Sequence, residues 1–169
     1  ITQAGGDLIY DGVINWDIKH GRAGQSIVFS TTPTGGSTTA VFRIGADGDV
    51  FSVTPGTSNA RYGENAGDSI AAGGNYNTLI GADAGTAITT GDSNVAIGFR
   101  ALYTEDTSGG NVAIGDSALR VQNRTGDAYN TAVGFSAGTA VTTAAQSTFM
   151  GALAGDAVTT GSHNTAVGY

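Results

Sequence analysis

The chain has 169 residues and a formal net charge of −7. Leu, Ile, Val and Phe together number 34, about a fifth of the chain, a share at which an ordinary globular core becomes doubtful. With 28 Gly but only 2 Pro the chain is not collagen, with 12% charged residues it is not a highly charged disordered chain, and its acidic balance disfavours nucleic acid and anionic membranes as partners.

Residues 1–54 contain no repeat, and their patterns predict a small β-meander. Apolar and polar residues alternate through 14–18 and 40–44, as expected of half-buried strands. The predicted strands cover residues 14–18, 26–30, 40–44 and 49–53. An Asp47-Gly48 pair predicts a hairpin turn between the last two. Residues 55–58, which include Pro55 and Gly56, are the predicted linker to a second domain over 59–169.

From residue 59 onward the chain repeats a unit that reads N-[T/V]-x-[I/V]-G-x-x-A-[G/L], followed by a variable stretch that often contains T-T-G. The copies begin at Asn59, Asn77, Asn94, Asn111, Asn130, Ser147 and Asn164, at spacings of 17 to 19 residues, and the last copy stops after six. This period is too short for helical repeats and lacks the 3.6-residue apolar spacing of an amphipathic helix. Because the chain begins with Ile and shows no signal peptide, we also expect it to be a piece of a longer protein.

The N-[T/V]-A-[I/V]-G core predicts a short strand that ends in a turn, because β-branched residues are followed by Gly. A second short strand is predicted in the T-A-I-T-T or D-A-V-T-T stretch of each unit. One unit cannot bury its own apolar side, so the units must stack as coils about 4.8 Å apart. The predicted fold class is therefore all-β, an N-terminal meander followed by a parallel β-solenoid.

Equivalent positions of successive repeats form columns, and four of these columns are predicted to have structural roles. The Asn column is expected to form a ladder in which side-chain amides bond to neighbouring backbone, and the Gly column to make the turns. The Ile/Val column before Gly is predicted to be interior, and the Ala column to lie where a coil is too thin for anything larger. The Asn and Gly positions are Asn77, Gly81, Asn94, Gly98, Asn111, Gly115, Asn130, Gly134, Gly151, Asn164 and Gly168. The Ile/Val column is Ile80, Ile97, Ile114, Val133, Met150 and Val167, and the Ala column is Ala66, Ala84, Ala101, Ala118, Ala137 and Ala154.

The unit N-[T/V]-A-[I/V]-G-x-x-A-x, with its trailing T-T-G, resembles the head repeats of trimeric autotransporter adhesins and, more closely, the slightly longer repeats of phage tail fibres. Residues 43–50 also resemble the R-I-G-x-D-G-x-V hairpin common just ahead of such repeats in tail fibres. The resemblance implies that three chains associate in parallel, each as a left-handed β-roll. It also implies that the Ile/Val column lines either the interior of each chain or the three-fold contact.

Few residues suggest chemistry. The chain has no Cys, and its two His, His20 and His163, lie far apart and are predicted to be solvated loop residues, so no disulfide or zinc site is expected. Asp47-Gly48-Asp49 lacks the rest of a calcium loop and is interpreted as a tight turn. Glu105 and Asp106 are interpreted as a pair on an exposed turn rather than as glycosidase carboxylates. Without a Ser, His and Asp constellation, no catalytic residue, metal or cofactor is expected.

Two sets of surface side chains are candidates for binding. Pairs of Thr resemble threonine arrays that bind ice or carbohydrate, and they are Thr89–Thr90, Thr142–Thr143 and Thr159–Thr160. Asp106 and Arg124 interrupt the array, so Thr favoured by β propensity is the preferred interpretation. Tyr76, Tyr103 and Tyr129 fall at variable positions, where exposed rings can stack on sugars. They are candidate receptor contacts, with packing over the inter-coil turn or at a subunit seam as the alternative.

The resemblance implies a rigid trimeric spacer in a phage tail fibre or related attachment appendage, located in the virion. Its implied partners are two identical chains, other fibre or tail proteins, and a host surface glycan. The alternative is the head of a trimeric autotransporter adhesin on a bacterial cell surface. A glycan-depolymerising tailspike is a third hypothesis and would require carboxylates clustered in a groove. No enzyme activity, cofactor, nucleic-acid partner or membrane insertion is expected, since no apolar run is long enough to span a bilayer.

Overall fold

The structure is a computed structural model that describes residues 27–31, 39–44, 50–51, 56, 58–71 and 73–169. Within these ranges every regular element is a strand, and no helix is present that could cross a membrane. The strands are β1 (Ile27–Thr31), β2 (Thr39–Ile44), β3 (Val50–Phe51), β4 (Ala60–Tyr62), β5 (Thr78–Ile80), β6 (Val95–Ile97), β7 (Val112–Ile114), β8 (Thr131–Val133), β9 (Thr148–Met150) and β10 (Thr165–Val167).

Strands β1, β2 and β3 pair antiparallel in that order, with a register shift between Phe29 and Ser30. The predicted strand over 14–18, the turn at Asp47-Gly48 and His20 lie outside the described residues.

Strands β4 to β10 form one parallel sheet in chain order, and each strand pairs with the equivalent residues one coil later. For example, Thr78, Leu79 and Ile80 pair with the three residues of β6. The sequence repeat and the structural repeat are therefore the same unit, because each copy of about 17 residues makes one turn of the solenoid. This confirms the predicted all-β fold with stacked parallel coils.

Among the described residues each coil contains one strand, and the predicted second strand is wrong. The T-A-I-T-T stretch at 86–90 contains turns and bends, although single backbone hydrogen bonds still join the coils there, as from the Thr89 N–H to the Asp106 carbonyl at 2.8 Å. The left-handed conformations of Asp83 (φ 57°) and Gly85 (φ 56°) interrupt the extended backbone just before this stretch. The β propensity of Thr and Ile is thus overridden by two closely spaced turns.

The interior face of the strands is the opposite of the one predicted. The middle residue of β5 to β9 is fully buried, whereas the Ile/Val column faces outward, with Ile80 39%, Met150 49% and Val167 73% exposed. Side chains alternate across a strand with a period of two. Because the Asn that precedes each strand is buried, the next inward position is the middle residue, and the residue before Gly must face out. The prediction that the Ile/Val column lines the chain's interior is therefore wrong.

The core is a narrow column of small and medium side chains. The Ala column is buried throughout, as predicted, and lies beside the middle residues of the strands. A second inward column, four residues after the Ala column, is Ile70, Ile88, Glu105, Gln122, Val141 and Val158. Two polar residues thus interrupt an apolar column in the central coils.

Large side chains in this core are placed where a neighbouring position is small. Phe149, in the middle of β9, is fully buried because Gly138 and Gly155 leave it room: a Cβ at Gly155 would lie 2.1 Å from the ring. Where the strand carries Ala96 instead, the position equivalent to Gly155 is Leu102. The coil of Ser147 therefore fills the core from its strand, and the coil of Asn94 fills it from the position after the Ala column.

Candidate functional site

The Asn column is buried, and its amides are used within the chain. The Oδ1 of Asn77 accepts the backbone N–H of Asn94 at 2.9 Å, and the Nδ2 of Asn77 donates to the Gly91 carbonyl at 2.9 Å. Asn94, Asn111 and Asn130 continue the ladder at 2.9 to 3.1 Å. Because both ends of each amide have internal partners, these side chains bind neighbouring coils rather than a ligand.

Ser147 replaces Asn in this ladder with a shorter side chain. Its Oγ accepts the backbone N–H of Asn164 at 3.1 Å and donates to the Ala145 carbonyl at 3.2 Å. Asn164, in the last coil, is only half-buried. The coil-to-coil contact of the ladder is thus kept through Ser147.

The Gly column lies where the coils approach most closely. Gly115 has φ 132°, and a Cβ there would lie 2.3 Å from the carbonyl oxygen of Gly134. The equivalent distance to the next coil is between 2.0 and 2.7 Å for Gly81, Gly98, Gly134 and Gly151. Gly168, in the last coil, has nothing within 4 Å. Conformation and contact distance therefore both require Gly wherever another coil follows.

The three candidate tyrosines do not form one site. Tyr76 and Tyr129 share a column, one residue before Asn, and are 62% and 57% exposed. The Tyr129 hydroxyl donates to Asp127 Oδ2 at 2.8 Å, and this acceptor raises the pKa of Tyr129. Tyr103 lies in another column, half-buried, with the Arg100 guanidinium 5.4 Å from its ring centre. The structure thus presents two separate exposed rings and one packed ring.

Glu105 is not on an exposed turn, and that prediction is wrong. The side chain is fully buried, and its carboxylate accepts the backbone N–H groups of Ser108 at 2.8 Å and Asp106 at 3.1 Å, and the Gln122 amide at 3.0 Å. Gln122 in turn accepts from Asn130 Nδ2 at 2.8 Å. Burial raises the pKa of Glu105, and the hydrogen bonds oppose that rise. A carboxylate enclosed by these donors has no access to a glycan.

The remaining polar candidates are dispersed. His163 is exposed. Thr142 donates its hydroxyl to the Thr159 carbonyl at 3.1 Å, so it is used between coils. No group of three acidic or His side chains in the described part of the chain could hold a metal ion.

The outer face of the solenoid sheet is a surface that these internal contacts do not explain. It carries an apolar stripe, which comprises Tyr62, Ile80, Ile97, Ile114, Val133, Met150 and Val167, one residue in register from each strand. The other outward column is Ala60, Thr78, Val95, Val112, Thr131, Thr148 and Thr165. Neither column contains a charged residue. With seven strands about 4.8 Å apart, the uncharged face is roughly 29 Å long.

Aromatic residues extend this face beyond the end of the strands. Phe99 and Phe135 follow the Gly column in their coils and are exposed. The Arg100 guanidinium lies 4.7 Å from the centre of the Phe99 ring and 3.4 Å from an Asp83 oxygen. Reasoning from the residues of the repeat missed this surface because it placed the Ile/Val column inside, whereas the resemblance left a three-fold contact as the alternative. Side chains alternate between the two faces of a strand, so a buried Asn places the residue two positions later inside. The residue three positions later, in the Ile/Val column, then faces outward.

No family model matches the chain, and comparisons with curated proteins and with solved structures also give no match.

Proposed function

We propose that this chain is a rigid structural segment of a fibre, in which three parallel copies of a left-handed β-roll pack through the apolar stripe. The observation that carries this proposal is the uncharged outer face along all seven strands, whose stripe is exposed at Tyr62, Ile80, Met150 and Val167 and half-buried at Ile97, Ile114 and Val133. Monomeric soluble proteins rarely expose apolar patches larger than a few hundred Å², and larger ones mark interaction sites. Complete burial of an Ile or Val side chain contributes about 1.5–3 kcal/mol, so association would stabilise a chain that is poor in large apolar residues.

The number of copies comes from the repeat pattern that this chain shares with adhesin heads and phage tail fibres. Three flat faces can close around an axis parallel to the solenoid, and each face then contributes its stripe to a shared core. Closed rotational symmetry of this kind is the usual arrangement of homo-oligomers. The chain would thereby gain the large core that its own thin coils do not contain.

The mechanism of such a segment is stiffness. The Asn ladder, the backbone hydrogen bonds between coils and the close Gly contacts fix the rise from one coil to the next. Stacked coils of this type give a rod about 4.8 Å long per coil. We propose that the rod belongs to a phage tail fibre or related attachment appendage of the virion, next to other fibre or tail proteins, and holds a host-binding tip away from the particle.

A glycan contact on the rod itself would involve Tyr76 and Tyr129, the two exposed rings. The head of a bacterial trimeric autotransporter adhesin, on the cell surface, is the alternative that the repeat pattern supports. The genes and sequence that flank this segment separate the two, since fibre and adhesin continue into different domains. The buried environment of Glu105 gives no support to a depolymerase.

The test is the mass of the 169-residue chain in solution. One chain has a mass of 16.8 kDa, so a trimer has a mass of about 50 kDa by light scattering. Ile114→Arg, at the centre of the apolar stripe, is expected to abolish the trimer, and Thr125→Arg, on an exposed turn away from the strands, is expected to leave it intact. Circular dichroism checks that both variants remain folded. A stable wild-type monomer would overturn the proposal.

A further inference from the structure

We infer that the residues directly after the Gly column form a binding track for a neutral, unbranched, β-1,4-linked glycan that lies along the rod. Each coil contributes one residue to this track column, which comprises Glu64, Ala82, Phe99, Asp116, Phe135, Ala152 and Tyr169. From Phe99 onward, every second coil carries an aromatic ring in this column. The inference adds a ligand to the spacer proposed above, and it does not depend on the number of copies.

The three rings of the track column are exposed. Phe99 is 45%, Phe135 57% and Tyr169 95% exposed. Asp116, in the coil between the first two rings, is exposed as well, and so is Glu64 at the start of the column. A column that contains carboxylates does not continue the apolar stripe, because burial of an unpaired charge costs free energy. Rings in this column therefore remain open to a ligand from solution.

Backbone hydrogen bonds between coils fix the spacing of the track column. The Phe99 carbonyl accepts the N–H of Ser117 at 2.9 Å, and the Asp116 carbonyl accepts the N–H of Ser136 at 2.8 Å. Neighbouring coils are about 4.8 Å apart, so rings in every second coil are about 9.6 Å apart along the rod. The rings thus form a ladder with twice the period of the coils.

An extended β-1,4-linked chain of pyranoses has the same two periods. Each sugar advances the chain by nearly the rise of one coil, and successive sugars are turned over, so every second sugar presents the same face. The apolar face of a pyranose packs against an aromatic ring, and aromatic side chains supply large contact area at a low cost in conformational entropy. Alternate sugars of a glycan laid along the rod would therefore stack on Phe99, Phe135 and Tyr169.

The residues between the rings suit the intervening sugars. The Asp116 carboxylate accepts the Ser117 hydroxyl at 2.7 Å, and a carboxylate has further acceptor positions for the hydroxyls of a sugar. Ala152, between the rings of Phe135 and Tyr169, leaves room for a sugar in its coil. Because the chain has a net charge of −7 and Asp116 lies within the track, an anionic glycan would be repelled. The ligand class is therefore neutral.

The first ring of the ladder is also held in place by its neighbours. The Arg100 guanidinium lies 4.7 Å from the centre of the Phe99 ring, and the same guanidinium is paired with Asp83 at 3.4 Å. A ring that is already ordered loses little freedom when a ligand binds, so more of the contact energy appears as affinity.

Oligosaccharides of defined linkage test the track. Saturation-transfer NMR with the 169-residue chain measures the affinity for cellopentaose and chitopentaose, which are β-1,4-linked. Maltopentaose is the matched control, because its α-1,4-linked glucose units curve and do not alternate. At least one β-1,4-linked pentaose is expected to bind about ten-fold more tightly than maltopentaose. Equal affinities for all three, or no binding of either β-1,4-linked pentaose, would overturn the inference.

Moving one ring tests the spacing. Phe135→Ala removes the middle ring and is expected to weaken binding about ten-fold. Phe135→Ala/Ala152→Phe keeps the number of rings but shifts one by a single coil, where the sugar presents its other face, so this variant should bind as weakly as Phe135→Ala. Tyr76→Ala removes an exposed ring from another column and should bind like wild type. Recovery of binding by the shifted ring, or an equal loss in Tyr76→Ala, would contradict the track.

Light scattering separates this inference from the proposed trimer. The ring variants should keep the mass of the wild type, because their substitutions lie outside the apolar stripe. Ile114→Arg, the expected monomer, should bind the same pentaose as wild type, since the track lies within one chain. Binding by that monomer but not by a wild-type trimer would place the rings in the seam between copies and overturn the inference. A wild-type chain that is monomeric and binds would overturn only the trimer.

Discussion

The central and outer coils of the solenoid fill the same narrow core in different ways. The outer coils place a large side chain in the strand, Leu79 or Phe149, and Gly at the left-handed position that follows the Ala column. The central coils place Ala in the strand and Leu102 or Leu119 at that position, with φ 53° and 49°. The coil of Asn130 has Ala132 and Gly138 at these two positions, and Leu119 and Phe149 of the adjacent coils lie against Gly138 instead. The comparison teaches that the core is filled by matching large and small positions within and between coils, not by one residue type at each position.

The central coils accept two unfavourable features in return. A non-Gly residue in the left-handed region costs about 1–2 kcal/mol, and both Leu102 and Leu119 occupy it. The second inward column also changes from Ile88 to Glu105 and Gln122, which replace apolar contacts with a buried hydrogen-bonded pair. Four experiments would break or sharpen this contrast.

The largest effect is expected from Phe149→Ala in an outer coil. The ring is fully buried between Gly138 and Gly155, which carry no side chain that could move into the space. A cavity of this kind costs about 3–5 kcal/mol of unfolding free energy, measurable by chemical denaturation. Thr125→Ala, on an exposed turn, serves as the control and should change stability little. Equal stability of the two variants would contradict the packing of β9.

Glu105→Leu in a central coil is expected to cost about 3 kcal/mol. It leaves the Gln122 amide and the Ser108 N–H without their acceptor in the interior. Adding Gln122→Val restores the apolar column found in the outer coils and should recover part of the loss. If the double variant were less stable than Glu105→Leu alone by the full effect of Gln122→Val, the two residues would not act as a pair.

Converting the central-coil arrangement of Ala96 and Leu102 into the outer-coil arrangement is expected to show strong energetic coupling between the two positions. Ala96→Leu should cost about 1–3 kcal/mol because Leu102 already fills the coil. Leu102→Gly should cost a similar amount, since the cavity it creates outweighs the release of backbone strain. Together they recreate the outer-coil arrangement of Leu79 and Gly85, so the double variant should be close to wild type. Additive losses in thermal or chemical unfolding would argue against volume compensation.

The smallest effect is a pH dependence from Glu105. Burial raises its pKa in the folded protein, so the folded state favours the protonated form. The stabilisation from this group is then fully present below the pKa of the unfolded chain and is lost as pH rises through the folded pKa. Relative to Glu105→Gln, wild type should therefore lose stability as pH rises from the ordinary pKa of Glu, about 4.3, through the higher pKa of Glu105 in the folded protein. A stability difference between wild type and Glu105→Gln that stays constant with pH, or that changes in wild type's favour as pH rises, would show that the hydrogen bonds offset or outweigh burial.

How much of the site was predictable differs from column to column. The burial of the Ala column could be predicted from the repeat and from the small size of the Ala side chain. The burial of Glu105 was not predicted, because the equivalent Ile88 is followed by Thr-Thr and the stretch resembles a strand. That resemblance hid the inward position that Ile88 and Glu105 share. The apolar stripe was misplaced because a β-branched column was assumed to be interior, although the strands of a parallel sheet can be apolar on both faces.

The sequence by itself determined the period, the all-β class and the stacking of coils, because a unit of 17 residues with one β-branched core cannot bury its own surface. Only the tertiary structure decided which face of each strand is inside. A three-residue strand is too short for its sequence pattern to show which residues face inward. The buried Asn ladder between coils decides this. The structure also decided that Leu102 and Phe149 are two alternative ways to fill the core, because the side chains that pack together there come from different coils.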